Sequence, residues 1–261
     1  MAENPVIRKF GEASRAGATT PSAGELNSLY AQPAYDGPRG SSRYMTLDDV
    51  VQRTGAMLAV LLLAGGASWV LTPHGAPVGL LVVSLMGGLG LGLYISFTMK
   101  ANAALCLLYS AFEGVLLGAI SRAFDSRYPG IAIQALTGTV MVAAGMLFVY
   151  KIGAIRVTPR FTRVLLGGMI GAFGLMLVNL IAYAFHPGGL GLRDGGGLAV
   201  IFSLVCIALA AMNLVYDFDM IERGIRNGAD EKFAWYASFG IMVTLVWLYI
   251  EILRLLGYQR N

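Results

Sequence analysis

Apolar residues run almost unbroken through seven stretches of the chain, 54–71, 78–97, 102–122, 131–150, 164–185, 198–218 and 233–256, and charged residues gather between them. A helix crossing a bilayer needs about 20 mostly apolar residues. The pattern therefore predicts seven transmembrane helices in an all-α polytopic membrane protein. Thr46-Leu-Asp-Asp49 marks the first helix start: Thr46 is placed to cap, and Asp49 falls three residues on, where a carboxylate meets free amides.

The first 45 residues are of another kind. They are rich in Ala, Gly, Ser, Pro and charge, with Pro5, Pro21, Pro33 and Pro38 breaking any helix. Such a segment has little to bury and is expected to be a disordered cytoplasmic tail, or to hold a binding motif around Tyr30 to Tyr44. The expected organisation is a tail over 1–45, a seven-helix transmembrane domain over 46–257 and a short end over 258–261. No cleaved signal peptide is expected, because the apolar runs start only after about fifty polar residues. Composition agrees with a membrane solvent: 13% of the 261 residues are charged, against roughly 25% in a soluble domain.

Basic residues give the orientation, since loops rich in Lys and Arg stay cytoplasmic. One set of ends holds Arg8, Lys9, Arg15, Arg39, Arg43 and Arg53, then Lys100, then Lys151, Arg156, Arg160 and Arg163, then Arg223, Arg226 and Lys232. The opposite set holds Arg122, Arg127, Arg193, Arg254 and Arg260. Fourteen against five predicts a cytoplasmic N-terminus and, with seven crossings, an outer C-terminus. A last segment that re-enters the membrane would instead return the C-terminus inside.

Lipid gives helices no hydrophobic drive to associate, so close approach through small residues matters more. Gly88 and Gly92 in the second stretch, and Gly167 and Gly171 in the fifth, have the four-residue spacing this requires. Ser110, Gly114, Gly118 and Ser121 share one face of the third. The glycine-rich run 87–92 lies inside an apolar span with no preceding strand, which argues for packing rather than nucleotide binding.

Catalytic and metal-binding patterns are missing. Cys106 and Cys206 are single thiols within spans, and His74 and His186 fall in outer connections beside prolines. Neither pattern has metal-ligand spacing. No nucleophile–base pair or metalloprotease helix is present, so neither an enzyme nor a bound cofactor is expected. The basic excess belongs to the loops and gives no reason to expect nucleic-acid binding.

Ionisable groups within the membrane are costly and are default functional candidates. Glu113 sits in the middle of the third stretch, Asp217 at the inner end of the sixth, and Glu251 in the outer half of the seventh with Arg254 as a candidate ion-pair partner three residues on. Cys206, Ala210, Asn213 and Asp217 form one stripe of one helix. Gly240, Thr244 and Glu251 share a face of the last, and Asn179 shares one with Gly168 and Ala172. These stripes suggest a common polar interior. Each acid also has a structural reading. Asp217 would be a solvated helix end, Asp219 and Glu222 would pair with Arg223 and Arg226, Glu251 would satisfy Arg254, and Glu113 would bond a neighbouring helix. Desolvation disfavours a buried charge, which makes such a carboxyl a candidate proton sensor.

At these residues the chain resembles a known family. Leu214-Val-Tyr-Asp-Phe-Asp-Met-Ile221, and Leu248-Tyr-Ile-Glu-Ile-Leu-Arg-Leu-Leu-Gly257 after it, resemble the Bax inhibitor-1 family (transmembrane BAX inhibitor motif proteins), its bacterial branch most closely, over about residues 45–257. The resemblance implies a seven-helix fold with the last helix central and a calcium-permeable leak in the bacterial inner membrane. It also implies gating by pH through two acids on the sixth and seventh helices. Asp217 matches the first acid. Thr244 stands where many relatives have Asp, and a basic residue at the start of the third helix has an approximate match near Lys100. The expected pH-sensing gate is thus Asp217, Thr244 and Asn213, with Asp217 and Asp219 as transient contacts for calcium, the expected transported ion. The alternative is a non-conducting interaction protein that modulates a membrane-anchored protease through the tail, as some bacterial relatives do. The lipid bilayer is the one partner that both readings share; the oligomeric state is left open.

Overall fold

The computed structural model describes residues 43–72, 77–186 and 188–260. Seven helices account for nearly all of them: α1 (Leu47–Leu71), α2 (Val78–Thr98), α3 (Ala103–Arg127), α4 (Ile131–Lys151), α5 (Pro159–Phe185), α6 (Gly197–Arg226) and α7 (Phe233–Tyr258). All seven are long and apolar enough to cross a membrane. Each contains or closely matches one predicted stretch. Most run past it at their ends, where charged residues still extend the helix into the interface. His74 and the tail as far as residue 42 lie outside the described residues.

Local chemistry sets the helix ends. Thr46 and Asp49 form the expected reciprocal box, with the Asp49 amide donating to Thr46 Oγ1 at 3.2 Å and the Thr46 amide to Asp49 Oδ2 at 2.9 Å. Asn102 and Thr158 cap α3 and α5 in the same way, each accepting from the amide three residues on, and Pro159 suits the first turn of α5 because its missing N–H would be unpaired there anyway. Residues 43–45, which the sequence reading gives to the tail, pair with the α6–α7 connection: the Met45 amide donates to Ala229 O at 2.8 Å and the Glu231 amide to Arg43 O at 2.8 Å. Arg53 then bonds the Glu231 carboxylate at 2.6 Å and lies over Trp235.

The last helix, α7, packs against α1, α3, α4 and α6, while α2 leans on α3 and α5 on α6. Helix α7 is unbroken over 26 residues, long enough to cross in one pass and without the break that a re-entrant hairpin needs. The closest approach is between α1 and α3. A Cβ on Gly118 would lie 2.2 Å from the Gly65 carbonyl oxygen, and one on Gly114 2.4 Å from that of Leu61. Ser110 and Ser121, the rest of that predicted face, are buried. On α2, a Cβ at Gly88 would meet the Glu113 carboxylate at 2.9 Å. The pair on α5 differs: a Cβ at Gly167 or Gly171 meets nothing, and Gly168 is the residue that seats Leu209 of α6. The four-residue spacing is present there, but the helix turns that edge away from its neighbours.

One end of the bundle gathers the start of α1 and the α4–α5 and α6–α7 connections, since Arg223 also donates to Val157 O at 3.1 Å. Arg53, Arg156, Arg160, Arg163, Arg226 and Lys232 belong to this end. Cysteines placed at Ala154 and Asn227, both exposed, should therefore resist a membrane-impermeant thiol reagent in intact cells, whereas Gly197→Cys at the other end reacts. Cys106 and Cys206 are fully buried, so native background should be low. Labelling of the first two from outside would reverse the orientation.

Glycine packing gives a second expectation. Gly118→Ala forces α1 and α3 apart and should cost roughly 1–3 kcal/mol, the usual range for overpacking, read as a lowered unfolding temperature in detergent. Gly167→Ala meets open space and should leave that temperature unchanged or slightly raised.

Candidate functional site

Two polar layers occupy the interface between antiparallel α6 and α7. The inner layer is built on Asp217, 5% exposed, and Thr244, 1% exposed. Thr244 Oγ1 donates to Asp217 Oδ2 at 2.7 Å, and Asn213 Nδ2 donates to Thr244 Oγ1 at 2.7 Å. Asn213 also reaches Asp217 Oδ2 at 3.4 Å. The four-residue step from Asn213 to Asp217 places both on one face of α6. Opposite them lies Gly240 of α7, where a Cβ would stand in ordinary contact, 3.6 Å from Asp217 Oδ1. The reading of Asp217 as a solvated helix end does not hold: it is buried and bonded across two helices.

The outer layer is built on Glu251, 1% exposed. Arg193 grips it with two bonds, Nη2 to Oε1 at 2.8 Å and Nη1 to Oε2 at 3.1 Å. Arg254 donates to Oε1 at 3.1 Å, as the three-residue spacing led us to expect, and Ser203 Oγ to Oε2 at 3.3 Å. A carboxylate has about four lone-pair positions, and all of Glu251's are engaged. Arg193 comes from the α5–α6 connection, where basic residues are normally solvated; here it lies over Phe202 and is 23% exposed on its side chain.

Between the layers the same two stripes carry Ala210 and Leu248, both fully buried in one apolar cluster with Leu214. The expected common polar interior is therefore divided, since no hydrogen bond links the layers among the described residues.

A family model described as Bax inhibitor 1 like matches residues 4–261. The chain belongs to this family. The match takes in nearly the whole chain, beyond the 45–257 over which the motifs are read. A comparison with curated proteins gives no match.

Within this Bax inhibitor 1 like protein the remaining candidates fall apart from the two layers. Glu113 of α3 is half-buried and lies against Gly88 of α2, but its side-chain hydrogen bond is to Tyr109 of its own helix and not to the neighbouring helix that its structural reading expected. Asp219 is held by Arg223 at 2.6 Å, and Glu222 faces Arg226 at 3.8 Å and accepts from the Tyr150 hydroxyl. Asp219 is nonetheless buried, so it is no simple solvated end. Lys100 is exposed in the α2–α3 connection. Asn179 belongs to neither layer: its Oδ1 accepts from the Leu190 amide at 2.9 Å and holds the outer loop against α5. Gly189, at φ +61, is needed there because a Cβ would lie 2.9 Å from Asn179. The sequence reading missed Arg193 and Ser203. A basic residue isolated in a glycine-rich loop is ordinary, and only the fold brings it within reach of Glu251.

Breaking a buried pair by removing one partner leaves the other charge without compensation. Glu251→Gln should accordingly lower stability by on the order of 3 kcal/mol, seen as a fall in detergent-phase unfolding temperature. Glu251→Met with Arg193→Met should recover part of that loss. An unchanged unfolding temperature in the single variant would mean the outer layer is not a structural pair.

Proposed function

We propose that this protein is a pH-sensitive cation leak, with calcium as the conducted ion, and that the inner layer is its proton-controlled gate. The observation that carries this reading is the bonded set Asn213, Thr244 and Asp217, which ties α6 to α7 above an apolar seal at Ala210 and Leu248. Apolar constrictions gate by excluding water, so a small separation of the two helices wets the path. Asp217 near the basic end supplies the negative charge that draws a cation in. With that end cytoplasmic, as basic loops favour, the gate stands at the cytoplasmic mouth of a bacterial inner-membrane protein.

The direction of gating follows from the bonds. An ionised carboxylate is the strongest acceptor for the Thr244 hydroxyl and the Asn213 amide, because bonds to a charge are about twice as strong as neutral ones. Protonation removes that charge and loosens α6 from α7, so acidification opens the leak. Glu251 lies seven residues from Thr244, about 10.5 Å along the helix at ~1.5 Å per residue, too far to share a proton with Asp217. One acid therefore titrates alone, and gating is shallower than for two coupled carboxyls.

Calcium flux into liposomes holding purified protein, scanned across pH, tests the reading. The wild-type leak should rise on acidification. Asp217→Asn should leak at the acid level at every pH, and Thr244→Asp should steepen the response. A wild-type pH profile in Asp217→Asn, or no flux from any form, would overturn it.

A further inference from the structure

A cavity of about 310 Å³ opens at the outer end of the bundle, between α5 and α7. Its polar lining consists of Arg193, Arg254, Asn179 and Tyr183, and Met176, Leu180 and Leu192 give it apolar walls. Every strong polar group in that set is a donor on the side left unbonded. The Asn179 carbonyl is taken by the Leu190 amide, which leaves its NH₂. Arg254 spends one N–H on Glu251, and Arg193 gives its own to Glu251 and the Met176 sulfur. A guanidinium has five N–H donors, so most of those on Arg254 have no partner among the described residues. Glu251 cannot accept a further cation because its oxygens already take four bonds. Asp194, the nearest other acid in sequence, is exposed, bonded to the Gly196 amide, and outside the lining.

Depth and access complete the picture. Arg254 stands four residues before the end of α7 and Asn179 six before the end of α5, about 6 and 9 Å along helices rising ~1.5 Å per residue. In a bilayer with a hydrocarbon core about 30 Å thick, helices of this length put both residues near the boundary of headgroup and hydrocarbon. Leu180, on the rim, is 67% exposed on the outer surface of α5, so the mouth opens sideways toward lipid. We propose that this cavity binds the phosphodiester of a glycerophospholipid with a net anionic headgroup, of the phosphatidylglycerol type. Arg254 and Arg193 hold the phosphate, Asn179 adds a donor, and the acyl chains leave along Leu180. Phosphatidylcholine is a poorer fit because no free acid in the lining meets its cation. Glu251 acts as a positioning residue that sets both guanidinium planes. The site does not rest on the leak, and a protein that conducts nothing would still bind.

Native mass spectrometry of the full chain in detergent, offered phosphatidylglycerol, phosphatidylcholine or inorganic phosphate, tests this. One phosphatidylglycerol should stay bound in preference to phosphatidylcholine, and inorganic phosphate should not displace it. Arg254→Gln should weaken retention roughly tenfold, the effect of losing one charged hydrogen bond, with Arg254→Lys intermediate. Leu180→Trp, which fills the mouth from an exposed position and leaves every charge in place, should weaken it as well. Arg160→Gln at the opposite end should not. Displacement by inorganic phosphate would reduce the cavity to a general anion site and overturn the lipid assignment. So would equal retention of both lipids, retention of neither, or phosphatidylglycerol bound unchanged by Arg254→Gln and Leu180→Trp.

Discussion

A carboxylate carried into an apolar interior must find hydrogen-bond donors there, because water no longer supplies them. Asp217 and Glu251 both meet that demand from other parts of the chain, and much of the bundle's geometry follows. Asp217 takes its donor from α7, which fixes how α6 and α7 slide along each other. Glu251 takes two from Arg193 and one from Ser203, which fastens the outer loop and the start of α6 onto the last helix. Between the two acids, Ala210 and Leu248 lie fully buried in one apolar cluster. The glycine contacts bring α1 and α3 into close backbone approach.

Elements governed by local chemistry are readable in the sequence. The seven spans follow from apolar runs, the start of α1 from Thr46 and Asp49, and the pairs Asp219–Arg223 and Glu251–Arg254 from helical spacing. Stripe arguments also work where both stripes lie on helices, as Asn213 and Asp217 against Thr244 show. Long-range partners are not readable that way. Nothing in the spacing of Arg193 points to a residue 58 positions away, and nothing in Gly167-x-x-x-Gly171 says that this edge of α5 faces out. The rotation of a helix about its axis is set by all its neighbours at once. Two polar stripes likewise suggest one cavity until the apolar residues between them are seen to close it.

Thr244, in place of a second acid, limits what the inner layer can do under the proposed function. A hydroxyl passes a hydrogen bond from Asn213 on to Asp217 but adds no second proton equilibrium. On the proposed reading the layer is a latch with one titrating group, whose strength depends on the bond between Thr244 and Asp217. The outer layer, with Glu251 fully engaged and two arginines around it, is a rigid anchor rather than a second sensor.

A double-mutant cycle on that bond is the most direct measure of the account, read as calcium leak from liposomes at neutral pH. Asp217→Asn and Thr244→Val should each raise the leak, and the double variant should leak no faster than the faster single one, because both remove the same latch. Independent increases that multiply in the double variant would show that Asp217 and Thr244 do not act through one bond, and would contradict the account.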